Sequence, residues 1–379
     1  MSVVFVHIGL PKTGTTHLQD RLWRNRDLAL RSAGLLYPGN VISDHFHAAV
    51  HLQPDRYLDW VDPAFAGTWP TMRAQMKAWP QASLLSHELY ATARPEHIAT
   101  LLDDLSFADE VHVIATVRDL ARQLPSVWQE NIKNQREATF DEFLHSVHTH
   151  GPALPGFTPP ADGGIEEPFW EFQDHVRILN DWAAAVGPER VHVVTVPTRR
   201  DTPGDTIWER FLRVLDVDPA PLTIPVPSLN SSLSSAQAEF LRRLNGRLQP
   251  TDVEWRRYER VVKGQLIGEI LFEAPSGPPR GLTSDQRTWV AQTADEMIAE
   301  VRAAGYRVSG DLDDLTVSRL AAGDALPPTM QDVLDVALDT LAEVVKTAPL
   351  PAVGPRRRTR AMNVVRRVRR RVTGLRRSL

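Results

Sequence analysis

The sequence contains no cysteine at all. This absence excludes disulfide scaffolds, zinc–thiolate sites, iron–sulfur clusters and cysteine nucleophiles. Long hydrophobic runs are missing too, because no segment approaches the roughly 18 apolar residues of a membrane span. The first residues also lack the basic and apolar regions of a signal peptide. We therefore expect a soluble protein of the cytoplasm, associated with a membrane at most peripherally.

Lysine is scarce, and acidic residues are missing from one end of the chain. The chain has only 5 lysines but 38 arginines, so a lysine within a motif is easier to interpret than an arginine. Eleven arginines lie in residues 356–379, which contain no acidic residue. In residues 1–355 the 47 acidic side chains outnumber 32 basic ones, which gives that part a net charge of −15. The overall charge of −4 therefore combines an acidic body with a basic tail, an asymmetry typical of an interaction segment.

The body has the composition of a folded protein, with 42% hydrophobic and 24% charged residues in a chain of 379. Short, continuous apolar segments alternate with helical patterns along its first half. Strands are predicted at residues 3–8, 82–86, 111–117 and 191–196. Apolar strands that alternate with helices are typical of a parallel sheet covered on both faces. We expect a three-layer α/β/α fold with a P-loop-like start and further helices towards the C-terminus.

We divide the chain into four parts: an α/β domain at residues 1–323, an amphipathic helical segment at 324–347, a proline-rich linker at 348–355 and an arginine-rich tail at 356–379. Two insertions in the domain, at about 54–80 and 151–170, are rich in proline, glycine or tryptophan. Such insertions are often lids or walls of an acceptor pocket, and a surface loop without function is the alternative. In the helical segment four apolar residues share one stripe: Leu334, Leu338, Leu341 and Val345.

A glycine-containing loop, residues 9–16, follows the first predicted strand and precedes a helical pattern. Such a loop directs backbone N–H groups and a helix N-terminus towards one point, which predicts a phosphate site. Gly9 and Gly14 have the spacing of the two glycines in the Walker A loop of nucleotide triphosphatases. That loop has its lysine directly after the second glycine, whereas Lys12 comes before it here. Arg118 follows the strand at 111–117, where such enzymes place an aspartate for Mg²⁺. These departures predict a phosphate cradle that works without a metal; a plain tight turn is the alternative.

The run Pro11-Lys12-Thr13-Gly14-Thr15-Thr16, with Arg118 and then Ser126 eight residues later, resembles the sulfotransferases that use 3′-phosphoadenosine 5′-phosphosulfate (PAPS). The resemblance covers roughly residues 1–245. It implies that the loop binds the 5′-phosphosulfate and that Arg118 and Ser126 bind the 3′-phosphate. It also implies a role for Lys12 at the breaking S–O bond. Cytosolic members of the family also have an arginine-lysine-glycine segment late in the domain, which completes the 3′-phosphate site. Its nearest counterpart here is Lys263-Gly264, and the neighbouring residues differ from those of the family segment. The implied donor-binding residues are Pro11, Lys12, Thr13, Gly14, Thr15, Thr16, Arg118 and Ser126.

Sulfuryl transfer to a hydroxyl or amine requires a base that takes the acceptor's proton. In the sulfotransferase family this base is a histidine or glutamate near the end of a strand between the two donor motifs. Here His87 and Glu88 directly follow the strand predicted at 82–86. The resemblance favours Glu88 as the base, with His87 as the alternative. Helix capping by both residues is the third interpretation.

Three further histidines have the spacing H-x-H-x₃-H: His45, His47 and His51. Zinc is conceivable, because His47 and His51 could share a helix face. The spacing of the motif fixes no fourth ligand, so we predict that the protein has no metal site. Positions in an acceptor pocket, or ordinary polar positions, are the expected roles of the three residues.

The arginine-rich tail has its own apolar periodicity, formed by Val365, Val368, Val372, Leu375 and Leu379. A helix would place these residues on one stripe with arginines around the rest, which is typical of binding to an anionic membrane surface. Nucleic acid is less favoured, because the tail has no aromatic residue for stacking. We expect association with the inner face of the membrane, and a solvated tail without a partner is the alternative.

Together these features predict a PAPS-dependent sulfotransferase without a metal. The expected acceptor is a hydroxyl or amine of a glycan, glycolipid or small metabolite, attacked in line with a carboxylate or histidine as base. One alternative is a P-loop kinase-like phosphotransferase. The other is a non-catalytic nucleotide-binding module that the basic tail recruits to a membrane.

Overall fold

The computed structural model describes residues 1–57, 62–149, 170–198, 202–226, 232–249, 251–275, 277–319 and 325–347. The insertion predicted at 151–170 lies outside these ranges except for Trp170, and the linker and the basic tail lie outside them from residue 348 onward. Among the described residues no helix is long and apolar enough to cross a membrane.

The centre of the fold is a six-stranded sheet in which all neighbouring strands run parallel. Its spatial order is β2-β3-β1-β4-β5-β6. The strands are β1 (Val3–His7), β2 (Leu35–Leu36), β3 (Ala82–Ser86), β4 (Glu110–Val117), β5 (Val191–Thr195) and β6 (Arg307–Ser309). The predicted three-layer α/β/α fold is confirmed, and the four predicted strands agree with β1, β3, β4 and β5 to within one residue at each end.

Helices lie on both sides of this sheet and continue beyond it. They are α1 (Thr15–Ala33), α2 (Asp44–His51), α3 (Pro54–Tyr57), α4 (Thr68–Ala78), α5 (Pro95–Asp104), α6 (Leu120–Lys133), α7 (Phe140–Thr149), α8 (His175–Val186), α9 (Ile207–Val214), α10 (Ser235–Asn245), α11 (Trp255–Tyr258), α12 (Ser284–Ala303) and α13 (Met330–Thr347). A π-helix spans Glu259–Leu271, and short 3₁₀-helices span Pro63–Phe65, Glu88–Thr92, Pro188–Arg190 and Leu312–Leu315.

Both faces of the sheet are buried, as the continuous apolar strands require. In β1, Val4 and Val6 point into a core that also contains Trp182 of α8. Phe5, between them, points into the opposite core, where Leu18 of α1 also lies. This alternation follows from the two-residue period of a strand, and it explains why β1 has no polar face.

A third hydrophobic core lies among helices, away from the sheet. It joins α6, α7, α10, α12 and the π-helix, with Leu124, Phe143, Leu241 and Leu271 among its buried residues. This cluster contains most of the C-terminal helices that the sequence predicts. It matters for the site because α6 starts at the edge of the sheet and extends into this cluster.

The insertion at 54–80 folds onto the body by means of its tryptophans. Trp69 of α4 is 2% exposed, and its Nε1 donates a hydrogen bond to Asp104 at 2.6 Å. The Nε1 of Trp79 donates to the carbonyl of Gly34 at 2.9 Å. Because the indole of Trp69 is buried, it presents no face on which an acceptor sugar could stack. Trp60 lies outside the described residues.

Three buried histidines should make the fold sensitive to acid. Burial lowers the pKa of His7 and His45 to about 3, with a smaller contribution from the charge of His87, and burial lowers that of His175 to about 4. Between pH 6.5 and 4 the unfolded chain therefore binds protons that the folded chain does not. The stabilisation is complete above pH 6.5 and is lost as the pH falls, by up to about 1.4 kcal/mol per pH unit for each histidine.

Denaturant unfolding between pH 7.5 and 4.5 measures this effect. The variant His175→Gln removes one titrating group. We expect it to reduce the slope of the unfolding free energy against pH by the equivalent of about one proton. A free energy that stays constant over this range in the unmodified protein would contradict the expectation.

Candidate functional site

The loop between β1 and α1 has the backbone that an anion cradle needs. Gly9 and Gly14 have positive φ values of 48° and 96°, and Gly14 directly precedes the first turn of α1. A Cβ on Gly9 would lie 2.8 Å from Thr15 Oγ1, so the packing here also requires glycine. The first N–H groups of α1 have no intrahelical acceptor, and the helix dipole makes this end positive. The loop can therefore hold an anion.

Two threonine hydroxyls of the loop point inward. Thr13 Oγ1 donates to the carbonyl of Leu10 at 2.7 Å and shares a 2.7 Å hydrogen bond with Thr116 of β4. Thr15 Oγ1 donates to the same carbonyl at 3.3 Å, and both threonines are buried. These hydroxyls hold the shape of the loop, and the binding of an anion by Thr15 stays a prediction. Thr16 is exposed and can offer its hydroxyl.

The backbone of Lys12 has a left-handed φ of 66°, which is uncommon for a residue other than glycine. Arg118 Nη1 donates to the carbonyl of Lys12 at 3.1 Å, and Gln123 Nε2 of α6 donates to that of Pro11 at 3.2 Å. Such strain persists where the surroundings hold it in place, and it is frequent at binding sites. The two predicted donor-binding motifs are thus joined through one carbonyl group.

Ser126, the second residue of the predicted 3′-phosphate site, lies on α6. Its Oγ donates to the carbonyl of Arg122, one turn earlier, at 2.9 Å. The hydroxyl oxygen keeps acceptor capacity, but its proton is used within the helix. The binding of a 3′-phosphate by Ser126 therefore stays a prediction.

Asp119 directly follows Arg118, at the end of β4, where a carboxylate could hold Mg²⁺. Its Oδ1 accepts the N–H of Arg122 at 3.0 Å and caps α6. Its Oδ2 is paired with Arg122 Nε. Since both oxygens have partners inside the protein, Asp119 is poorly suited to act as a metal ligand.

The end of β3 is held by several hydrogen bonds that converge on Ser86. His45 Nδ1 accepts the N–H of Ser86 at 3.3 Å, and His7 Nδ1 lies 2.8 Å from its Oγ. Gln19 Nε2 of α1 donates to its carbonyl at 3.0 Å. The residue that precedes the two candidate bases is therefore fixed to both neighbouring layers, and groups fixed in this way position a site precisely.

The geometry distinguishes His87 from Glu88 as a base. His87 Nδ1 accepts the N–H of Leu89 at 3.2 Å, and burial lowers the pKa of His87 while the charge of Glu88 opposes this. The neutral ring then carries its proton on Nε2, so it has no free lone pair to accept another. Glu88 Oε2 lies 4.0 Å from that Nε2 and has no hydrogen-bond partner among the described residues. Of the two side chains, Glu88 therefore keeps an oxygen that can accept a proton.

Three of the five lysines gather beside the loop. Glu130 Oε2 of α6 lies 3.2 Å from Lys12 Nζ and 3.6 Å from Lys133 Nζ. Lys263 of the π-helix donates to Asn134 Oδ1 at 2.8 Å. Burial would raise the pKa of Glu130, but the charges of these three lysines bring it below its usual value. Sequence reasoning missed this cluster, because its members are far apart in the chain and only the scarcity of lysine pointed to them.

Comparison with known proteins adds little to this geometry. No model of a known protein family matches the sequence, and no curated protein matches it either. A solved structure, a sulfotransferase from Alicyclobacillus acidocaldarius, shares 14% sequence identity over 80% of this chain and 95% of that one, with a TM-score of 0.37. Similarity at this level assigns no activity to the present chain, so the function has to follow from the residues of the site.

The histidines of the H-x-H-x₃-H motif have separate surroundings. His45 stacks on Tyr37 with ring centres 4.1 Å apart, and His47 stacks on Phe65 at 4.0 Å. His51 is exposed. In the part of the chain that the structure describes, no group of three or more histidine, aspartate or glutamate side chains is placed to hold a metal ion. The clearest role is that of His45, which supports the end of β3.

Proposed function

We propose that this protein transfers a sulfuryl group from PAPS to a hydroxyl or amine acceptor. The observation that carries the proposal is the convergence of three strand ends. β3, β1 and β4 are consecutive in the sheet, and their carboxyl ends are followed by Glu88, the glycine loop and Arg118, respectively. Neighbouring strands lie about 4.8 Å apart, so an anion cradle, a cation and a carboxylate share one edge of the sheet.

The donor fits this edge by its charges. The 5′-phosphosulfate would bind the first N–H groups of α1, the hydroxyl of Thr16 and Lys12. Arg118, with Ser126, would bind the 3′-phosphate by charge-assisted hydrogen bonds. The cations beside the loop provide a locally positive region in a body that is acidic overall, and such a region attracts a polyanionic donor.

The proposed chemistry is an in-line displacement at sulfur. The acceptor oxygen or nitrogen forms a bond to sulfur while Glu88 takes its proton. The bond between sulfur and the bridging oxygen breaks, and the electron pair stays on 3′-phosphoadenosine 5′-phosphate. Lys12 and the N–H groups of the loop stabilise the negative charge that develops on that oxygen.

Thermal unfolding in the presence of nucleotides tests the proposal. 3′-Phosphoadenosine 5′-phosphate at about 100 times its dissociation constant should stabilise the fold by about 2.7 kcal/mol. ATP with Mg²⁺ should stabilise it much less, because the only carboxylate next to Arg118 in the chain is occupied by helix capping and by Arg122. Stabilisation by ATP with Mg²⁺ alone would instead favour a kinase-like phosphotransferase.

The ion pair between Lys12 and Glu130 should compete with the donor. Lys12 must leave Glu130, at least in part, in order to approach the phosphosulfate. Because the pair is partly exposed, its loss changes binding by only about 0.5–1 kcal/mol, so Glu130→Gln should tighten the binding of 3′-phosphoadenosine 5′-phosphate about twofold to fivefold. Isothermal titration calorimetry measures this change.

A matched control is Glu239→Gln on α10, which also removes a carboxylate shared by two basic residues, Arg242 and Arg243. Nucleotide affinity should not change in this control. Weaker binding in Glu130→Gln would mean that Glu130 holds Lys12 in its binding position instead of competing for it.

A further inference from the structure

Helix α13 leaves an apolar stripe uncovered. Five residues at spacings of three or four form this exposed stripe, and they are 49–69% exposed: Met330, Leu334, Leu338, Leu341 and Val345. A different side of the helix carries the buried residues Val333 and Thr340, and the helix packs against α10 and the π-helix. An exposed apolar surface that follows one helical face is typical of an interaction site.

The helix that carries the exposed stripe is acidic. Asp335 is exposed and neighbours Leu338 of the stripe at the i, i+3 spacing. Asp332, Asp339 and Glu343 add three further carboxylates to the helix, and Lys346 is its only basic residue. A partner for this surface should therefore combine an apolar face with positive charge.

The arginine-rich tail has both properties and a matching length. Its apolar residues from Val365 to Leu379 are spaced by three and four. Seven of its eleven arginines lie in residues 365–379, and the tail contains no acidic residue. As a helix, residues 365–379 would extend about 21 Å, and the exposed stripe from Met330 to Val345 extends about 22 Å. Each stripe contains five apolar residues.

We propose that residues 365–379 dock as an antiparallel helix on the exposed stripe of α13. The 19 residues between Val345 and Val365 are sufficient for the chain to reverse direction. A short tether also gives the tail a local concentration of the order of millimolar at this surface. Docking brings the tail's arginines to an acidic helix, with Asp335 beside the stripe, and covers two apolar stripes at once.

Two other occupants fit the surface less well. A second copy of the chain that paired α13 with α13 would bring two acidic helices together, and like charges oppose such contact. An anionic membrane could bind the tail but would leave the apolar stripe of α13 exposed to water. We therefore assign the surface to the chain's own tail.

Engineered cysteines test the docking directly, because the natural chain has none. An antiparallel arrangement places residue 338 opposite residue 372. The pair Leu338→Cys and Val372→Cys should form an intramolecular disulfide quickly under mild oxidation, detected by intact mass and non-reducing electrophoresis. The control pair is Leu326→Cys and Val372→Cys, since Leu326 is 75% exposed but precedes the helix. This control should react much more slowly.

Three results would overturn the proposal. Equal oxidation rates in the two pairs would mean that the tail has no preferred position. A disulfide between two chains would assign the surface to a second copy. The third result is an oxidation rate of the Leu338→Cys and Val372→Cys pair that is the same at low and high salt. Screening at high salt should slow this reaction if opposite charges hold the tail on α13.

A second measurement uses no cysteines. The double variant Leu338→Ser and Leu341→Ser changes two exposed residues without changing the charge of the helix and should leave the fold intact. Trypsin should cleave the arginines of the tail several-fold faster in this variant than in the unmodified protein. Without trypsin, the intact variant should also bind phosphatidylserine vesicles more strongly in co-sedimentation than the unmodified protein does, because its tail is undocked. If neither cleavage nor vesicle binding changes, the tail does not dock on α13.

Discussion

Replacing Glu88 by glutamine should reduce kcat for sulfuryl transfer by about 10²–10⁴-fold, the usual contribution of a general base. The amide has nearly the same shape as the carboxylate but cannot accept the acceptor's proton. Glu88 follows β3, whereas the proposed donor contacts follow β1 and β4. The affinity for 3′-phosphoadenosine 5′-phosphate should therefore stay within about twofold of that of the unmodified protein.

The matched control is His87→Asn, which changes the neighbouring candidate. An asparagine side-chain oxygen can accept the N–H of Leu89 that His87 Nδ1 accepts, so the local backbone should keep its shape. We expect this variant to retain most of the activity in steady-state assays. Near-normal turnover in Glu88→Gln together with a large loss in His87→Asn would move the role of base to His87.

Replacing Arg118 by alanine should have the second large effect. A charge-assisted hydrogen bond contributes about 1.5–3 kcal/mol, so the affinity for 3′-phosphoadenosine 5′-phosphate should fall by roughly 10–150-fold. Adenosine 5′-monophosphate lacks the 3′-phosphate, and its affinity should change much less. Calorimetry with the two ligands separates the contact with the 3′-phosphate from general damage to the site.

This comparison of ligands is necessary because Arg118 also donates to the carbonyl of Lys12. An equal loss for both nucleotides would mean that Arg118 acts by shaping the loop, not by binding the 3′-phosphate. Arg122→Ala is the control for removing a nearby arginine, since Arg122 pairs with Asp119. It should affect the two ligands equally.

Most of the sheet could be predicted from sequence. β1, β3, β4 and β5 are apolar on both faces, and a parallel strand between two helical layers requires such a pattern. β2 and β6 were missed because they contain two and three residues, too few for a pattern. Their strand conformation depends on pairing with β3 and β5, which the local sequence does not encode.

The site was predictable where it depends on single strand ends. Lys12, Glu88 and Arg118 each follow an apolar strand, so the topology brings them to one edge. The contacts of Glu130 with Lys12 and Lys133 depend instead on how α6 lies against the loop. Periodicity likewise predicted the stripe of α13, but it could not tell which side of the helix packs against the body.

The central claim concerns the donor, and one transfer assay tests it most directly. The full chain is incubated with PAPS carrying a radiolabelled sulfuryl group and with an extract of the source cell, and Glu88→Gln is the matched control. We predict that label appears in an acceptor with the unmodified protein and is greatly reduced with the variant. Label transfer from ATP but not from PAPS, or equal transfer by both proteins, would contradict the proposed function.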